Sequence, residues 1–269
     1  MSHFTVLCLI KEGQTLGELL EPYDEKMECE PRICKTREEF INSTRKYYKD
    51  EPEIFELSDD DFIEEMRNHD YSLDKDGNEF TAYNEKSQWD WFVVGGRWPD
   101  MLRLTPEAYT LYLEENAARL SGGRRDSLVM SASGTKPGRC NAARIKHLDF
   151  SPDKKVYDSR LKFWDMYVTG ELKPETEDEE EEVKWAHYKP EYYIERFGTR
   201  ENFADLESRF GTWAVLTPDG IWHQKGNMGW WACSDETHDE ATAWATKYKE
   251  AFIDTADPEW VAVLVDCHI

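Results

Sequence analysis

The chain is short of positive charge. Lysine and arginine together number 33 against 56 aspartates and glutamates, for a formal net charge of −23 over 269 residues. Such a field repels nucleic acid polymers and anionic membrane from most of the surface, so binding of polymeric nucleic acid is not expected. No run approaches 18 apolar residues, and Met1-Ser2-His3-Phe4 enters an apolar stretch without the basic flank of a signal peptide. No membrane partner is expected, and the expected location is the cytoplasm. The six cysteines (Cys8, Cys29, Cys34, Cys140, Cys233, Cys267) form no CxxC pair and read as reduced thiols. Walker, Rossmann, GxSxG and HExxH patterns are absent, as are internal repeats, which removes the commonest motif-defined enzyme classes.

Aromatic residues, by contrast, are plentiful at 13%, with 11 tryptophans, a composition that belongs to a folded chain. His3–Ile10 (HFTVLCLI) and Trp260–Ile269 (WVAVLVDCHI) are apolar and β-branched and predict two buried strands. Thr36 with Glu39 and Ser58 with Asp61 mark capped helix starts, Thr105-Pro106 marks another, and Glu236 to Asp254 carries an amphipathic stripe. Thr212–Leu216, a Pro218-Asp219-Gly220 turn and Ile221–Gln224 predict a hairpin. These elements predict an α+β fold, with a mostly antiparallel sheet holding both terminal strands and helices packed on it. The 269 residues are read as one domain carrying a basic glycine-rich insertion near 119–147 and an acidic loop near 174–183, where repulsion along ETEDEEEE favours a solvated loop or a frayed helix end.

Three groups of residues could carry chemistry. Trp89-Asp90-Trp91, followed by Gly95-Gly96-Arg97-Trp98, sets flat rings beside a place where backbone can approach a ligand, and Arg97 could fork onto a phosphate or carboxylate. The competing reading puts Trp89 and Trp91 on one core-facing side of a strand, with the glycines as a bulge. Trp230 and Trp231, after Met228-Gly229, form a second such element, and Arg139 belongs to a segment, 119–146, with seven basic residues and one acid. The third group is His3, Asp266 and His268. Period two puts Asp266 and His268 on one face, and a neighbouring first strand would add His3, a set suited to acid–base catalysis or a divalent metal.

The blocks Met1–Val6, Trp89–Trp98, Met228–Trp231 and Val265–Ile269 resemble the signature blocks of a family of uncharacterised proteins of tailed bacteriophages and some bacteria. The resemblance implies a phage accessory protein acting in the host cytoplasm, a setting in which host defence is commonly countered. Together these observations predict a binding protein for a small, nucleotide-like anionic ligand, such as a sponge for a host immune signal. Two alternatives are a hydrolase or transferase using His3, Asp266 and His268, with or without metal, and an acidic inhibitor or DNA mimic whose partner is a host defence protein. A homo-oligomer is compatible with any of these.

Overall fold

The computed structural model describes residues 2–111, 136–228 and 233–269. Its strands, in chain order, are β1 (His3–Ile10), β2 (Arg32–Lys35), β3 (Glu79–Thr81), β4 (Trp91–Val94), β5 (Leu102–Arg103), β6 (Arg139–Cys140), β7 (Ala142–Arg144), β8 (Ala214–Leu216), β9 (Trp222–Gln224) and β10 (Val261–His268). With the helices described below, the fold is α+β. Among the described residues no helix is long and apolar enough to cross a membrane.

Where the sequence was read as one domain, the chain divides into two compact units. One comprises Met1–Leu20 with Trp91–Ile269, the other Glu21–Asp90. The first is built on a mixed sheet of order β4-β10-β1-β8-β9, with β7 also pairing β10. The two long strands lie side by side and antiparallel, from His3↔His268 to Ile10↔Val261. β8 runs parallel to β1 and turns back into β9 through Pro218-Asp219-Gly220, where Gly220 adopts φ +81° and donates to the Thr217 carbonyl. Alternation along the central pair sends Leu7, Leu9, Ala262 and Leu264 into one core, joined by Val215, Ile145, Leu148, Phe150, Tyr248 and Ile253. Along that same face the apolar pattern stops at one end, where it is continued by His3, Thr5, Asp266 and His268.

Helices cover this unit. Asp153 caps Lys154–Phe163, which runs on through Trp164–Val168 into a cluster of Phe163, Trp164, Val168 and Phe203. Residues 106–111 are helical after the Thr105 cap, whose side chain accepts from Ala108 N–H, while Tyr112 and Leu120 of the expected stripe lie outside the described residues. The acidic stretch, read as a solvated loop or a frayed helix end, forms the helix Glu177–Lys184. Thr176 caps it, and Glu177 to Glu180 occupy the first turn, where negative charge meets the positive end of the helix dipole. Lys162 then bridges Glu175 and Glu179, and Arg160 bridges Glu182, so the repulsion that argued for a loop is offset by fixed cations. Pro190–Phe197 and Arg200–Ser208 follow, the second capped by Thr199. The amphipathic stripe near the end is the helix His238–Tyr248, opened by a full Thr237/Glu240 capping box and extended through Lys249–Ile253.

In the second unit, β2 and β3 pair antiparallel beside Arg37–Thr44, Pro52–Phe55 and Asp59–Asn68. The expected caps are present: Thr36 and Glu39 make a reciprocal box, and the Ser58 hydroxyl accepts from Asp61 N–H. Phe40, Ile41, Ile54, Phe62, Ile63 and Met66 form its core.

Candidate functional site

The polar end of the central strand pair brings together residues 263 positions apart in the chain. His3 Nδ1 lies 2.9 Å from Asp266 Oδ1, and both side chains are buried. If Nδ1 carries the proton, the carboxylate accepts it and fixes the imidazole plane, leaving Nε2 as a base. His268 stands directly across from His3 in the register, its ring 5.0 Å away edge to face. On the other side of β10, Trp91 pairs with His268 and stacks on it at 5.0 Å with only 15° between the planes. Three adjacent strands thus supply one layer, Trp91, His268 and His3, with Asp266 one step inward.

The Gly95-Gly96 turn locks the carboxylate in place. Gly96 sits at φ +48°, and a Cβ there would fall 2.3 Å from the Asp266 Cβ, so only glycine fits. Gly95, at φ +75°, leaves no room for a Cβ above Asn141, whose Oδ1 accepts from Asp100 N–H at 2.7 Å. The tight turn aims the Arg97 backbone N–H at Asp266 Oδ2, 2.9 Å away. Both carboxylate oxygens are therefore engaged by the protein. Among the described residues, no group of three or more His, Cys, Asp or Glu is placed to hold a metal ion.

A cleft of about 570 Å³ opens beside this layer. His3, Thr5, Trp98 and Trp213 line it from the sheet side, Arg196 and His238 contribute from helices, Tyr188 from the bend before the helix Pro190–Phe197, and Lys225 and Glu236 from the segment after β9. Lys225 is held by Glu236 at 2.6 Å. Burial pushes the Glu236 carboxyl up, but the hydrogen bonds from Lys225 and Ser234 outweigh it and leave the group below the usual glutamate range. Gly226 packs against Glu236 so closely that a Cβ there would lie 2.9 Å from the Glu236 backbone nitrogen.

The residues expected from the sequence divide among several places. His3, Asp266, His268 and Trp91 come together, and Trp98 shares the cleft with His3. Arg97 contributes its backbone N–H, and the residue is exposed. Trp89 belongs to the other compact unit, where it is buried and bridges Asp24; Trp91 is 39% exposed on β4, so the two do not form one core-facing pair. Arg139 lines a separate pocket of about 180 Å³ and is tied to Asp153. Trp230 and Trp231 lie outside the described residues, as do Arg119, Arg124 and Arg125 of the basic segment. The sequence reading missed Arg196, Lys225, Glu236, His238, Tyr188 and Trp213. A local signal marks the helices of two of them, Pro190 at the start of the helix that carries Arg196 and a Thr-x-x-Glu box at the start of the one that His238 begins.

No protein-family model, curated protein or solved structure matches the chain.

Proposed function

We propose that the protein binds a small, nucleotide-like anion in the cleft beside His3. The observation that carries this reading is the composition of the cleft: His3, oriented by Asp266, shares its walls with Arg196, Lys225 and the rings of Trp98 and Tyr188. Aromatic faces stack on a base, and guanidinium and imidazole N–H groups donate to phosphoryl or carboxylate oxygens. The surrounding charge of −23 works in the same direction, because it disfavours a polyanion while a small ligand can reach the cations inside the cleft. In the setting that the resemblance implies, such binding would sequester a nucleotide signal of host defence. Native mass spectrometry of protein from cells making such signals should reveal a bound mass that denaturation releases intact. Protein that stays ligand-free across such cells, and that binds no nucleotide in vitro, overturns the reading.

A second reading follows from the 2.9 Å contact between His3 and Asp266, since a carboxylate-oriented imidazole on a cleft wall is also the arrangement of a general base. The protein would then be a hydrolase or transferase acting on the same ligand class, with His3 taking up the proton. Ligand recovered chemically unchanged after long incubation argues for binding alone. Turnover abolished by His3→Gln, with binding retained, argues for catalysis.

A further inference from the structure

Arg196 differs from the other arginines that line depressions in this protein. Arg45, Arg103 and Arg139 each face a carboxylate, in Asp59, Asp149 and Asp153 respectively. Arg196 makes no ion pair among the described residues. Its Nη1 is committed to two groups that are not carboxylates, the Tyr192 hydroxyl and His238 Nδ1, the latter at 2.9 Å. Tyr192 and His238 are themselves 3.4 Å apart, hydroxyl to Nε2, which closes a triangle around the guanidinium. The rings of Tyr192 and Phe197 flank it at 5.8 and 5.1 Å. What this framework leaves over is the Nε–Nη2 edge. Among the described residues Nε is buried without a hydrogen-bond partner, and the side-chain hydrogen bonds of Arg196 all run from Nη1, not Nη2. That edge is the one with which a guanidinium forks onto the two oxygens of a carboxylate or phosphoryl group.

An arginine held by groups other than carboxylates keeps its full charge for a ligand, whereas Lys225 in the same cleft is spent on Glu236. On the same cleft, Tyr188 stacks on Tyr192 at 3.9 Å and is half exposed, so it supplies an aromatic face near the cation. We propose that Arg196 is the anion-recognising residue of the cleft, presenting its Nε–Nη2 edge to the phosphoryl group of a nucleoside monophosphate-like ligand, with Tyr192 and His238 as positioning residues. The inference rests on the cleft being a ligand site, and it names the group that reads the anion.

Calorimetric titration of the full chain with AMP, adenosine and inorganic phosphate tests it. The parent should bind AMP at least tenfold more tightly than adenosine, and phosphate should compete with AMP. Arg196→Lys retains the charge but loses the fork, so AMP affinity should fall about tenfold while adenosine binding and the melting temperature stay put. His238→Asn should weaken AMP binding by a smaller factor, because Arg196 remains but is held less firmly. If the parent binds AMP and Arg196→Lys binds it equally well, or if AMP and adenosine bind the parent alike, the role of Arg196 is overturned and the cleft reading stands. A parent that binds none of the three probes overturns both.

Discussion

Arg139 and Arg196 line two depressions of the same compact unit, and they differ in what neutralises them. Arg139 comes from the one stretch of sequence with a strong positive balance, yet its guanidinium is tied to Asp153, and Arg103 beside it to Asp149. Burial pushes both carboxyls up, but for Asp149 the bonds from Ser151 and the charge of Arg103 prevail. For Asp153, the bonds from Arg139 and the Lys155 N–H prevail, with the charges of Arg103 and Arg139 adding to them. Both end below the usual aspartate range. That pocket is a closed ion-pair network. Arg196 comes from a helix with no such balance, and its contacts are an imidazole, a hydroxyl and aromatic rings. In a chain so rich in acid, the availability of a cation is decided by which carboxylates the fold brings near it, and local charge in the sequence is a poor guide.

The strongest way to break the contrast is to disturb the wall of the larger cleft without touching the smaller pocket. Gly96→Ala forces a side chain onto a left-handed backbone and into the Asp266 Cβ, so unfolding stability should fall by about 3 kcal/mol or more. A urea denaturation curve checks this, and an unchanged midpoint would mean that the turn does not seat Asp266 as described. Asp266→Asn is gentler. It keeps the shape but loses the charge behind the bonds from His3 and the Arg97 N–H, and it should cost about 2 kcal/mol and disturb nucleotide binding through His3.

On the other side of the comparison, Asp153→Asn should leave ligand affinity alone and cost about 1 kcal/mol. Its signature is in acid. Because the folded pKa of Asp153 is depressed, its stabilisation is complete above the unfolded value, near pH 4, and fades as pH falls through the folded one. Acid unfolding followed by tryptophan fluorescence should therefore be shallower for the variant below about pH 4. Smallest of all is Arg139→Lys, expected to shift stability by less than about 1 kcal/mol and to leave AMP titrations superimposable on the parent's. A loss of AMP binding there would join the two depressions into one functional region and dissolve the contrast.

The layer at the strand ends was legible in the sequence because it depends on local rules. Two apolar β-branched segments announced the strands, and period two put Asp266 and His268 on one face; adjacency to β1, which the sequence only allowed, supplied His3. Arg97 was read for its guanidinium, whereas the fold uses its backbone N–H, a group that every residue other than proline carries and no pattern marks. Trp89 and Trp91 have the spacing of a strand pair, but the strand begins only at Trp91, and Trp89 belongs to the other unit. For the far wall of the cleft the sequence marked helix starts, at Pro190 and Thr237, but not their meeting. Arg196 and His238 lie on separate helices whose meeting is tertiary. For the helices from 154 to 208, Asp153, Thr176, Pro190 and Thr199 were the available start signals. At Thr176, the weight given to charge repulsion concealed the cap.

The pairing of β1 with β10 also governs when the site can exist. A contact closing 263 residues of chain can form only after all of the polypeptide between β1 and β10 has been made. Until β10 arrives, β1 has β8 as its one neighbour of the sheet, and His3 has neither its carboxylate nor its facing imidazole. Long-range closure of this kind slows folding, so the recovery of ligand binding after dilution from denaturant should lag behind the recovery of helical signal.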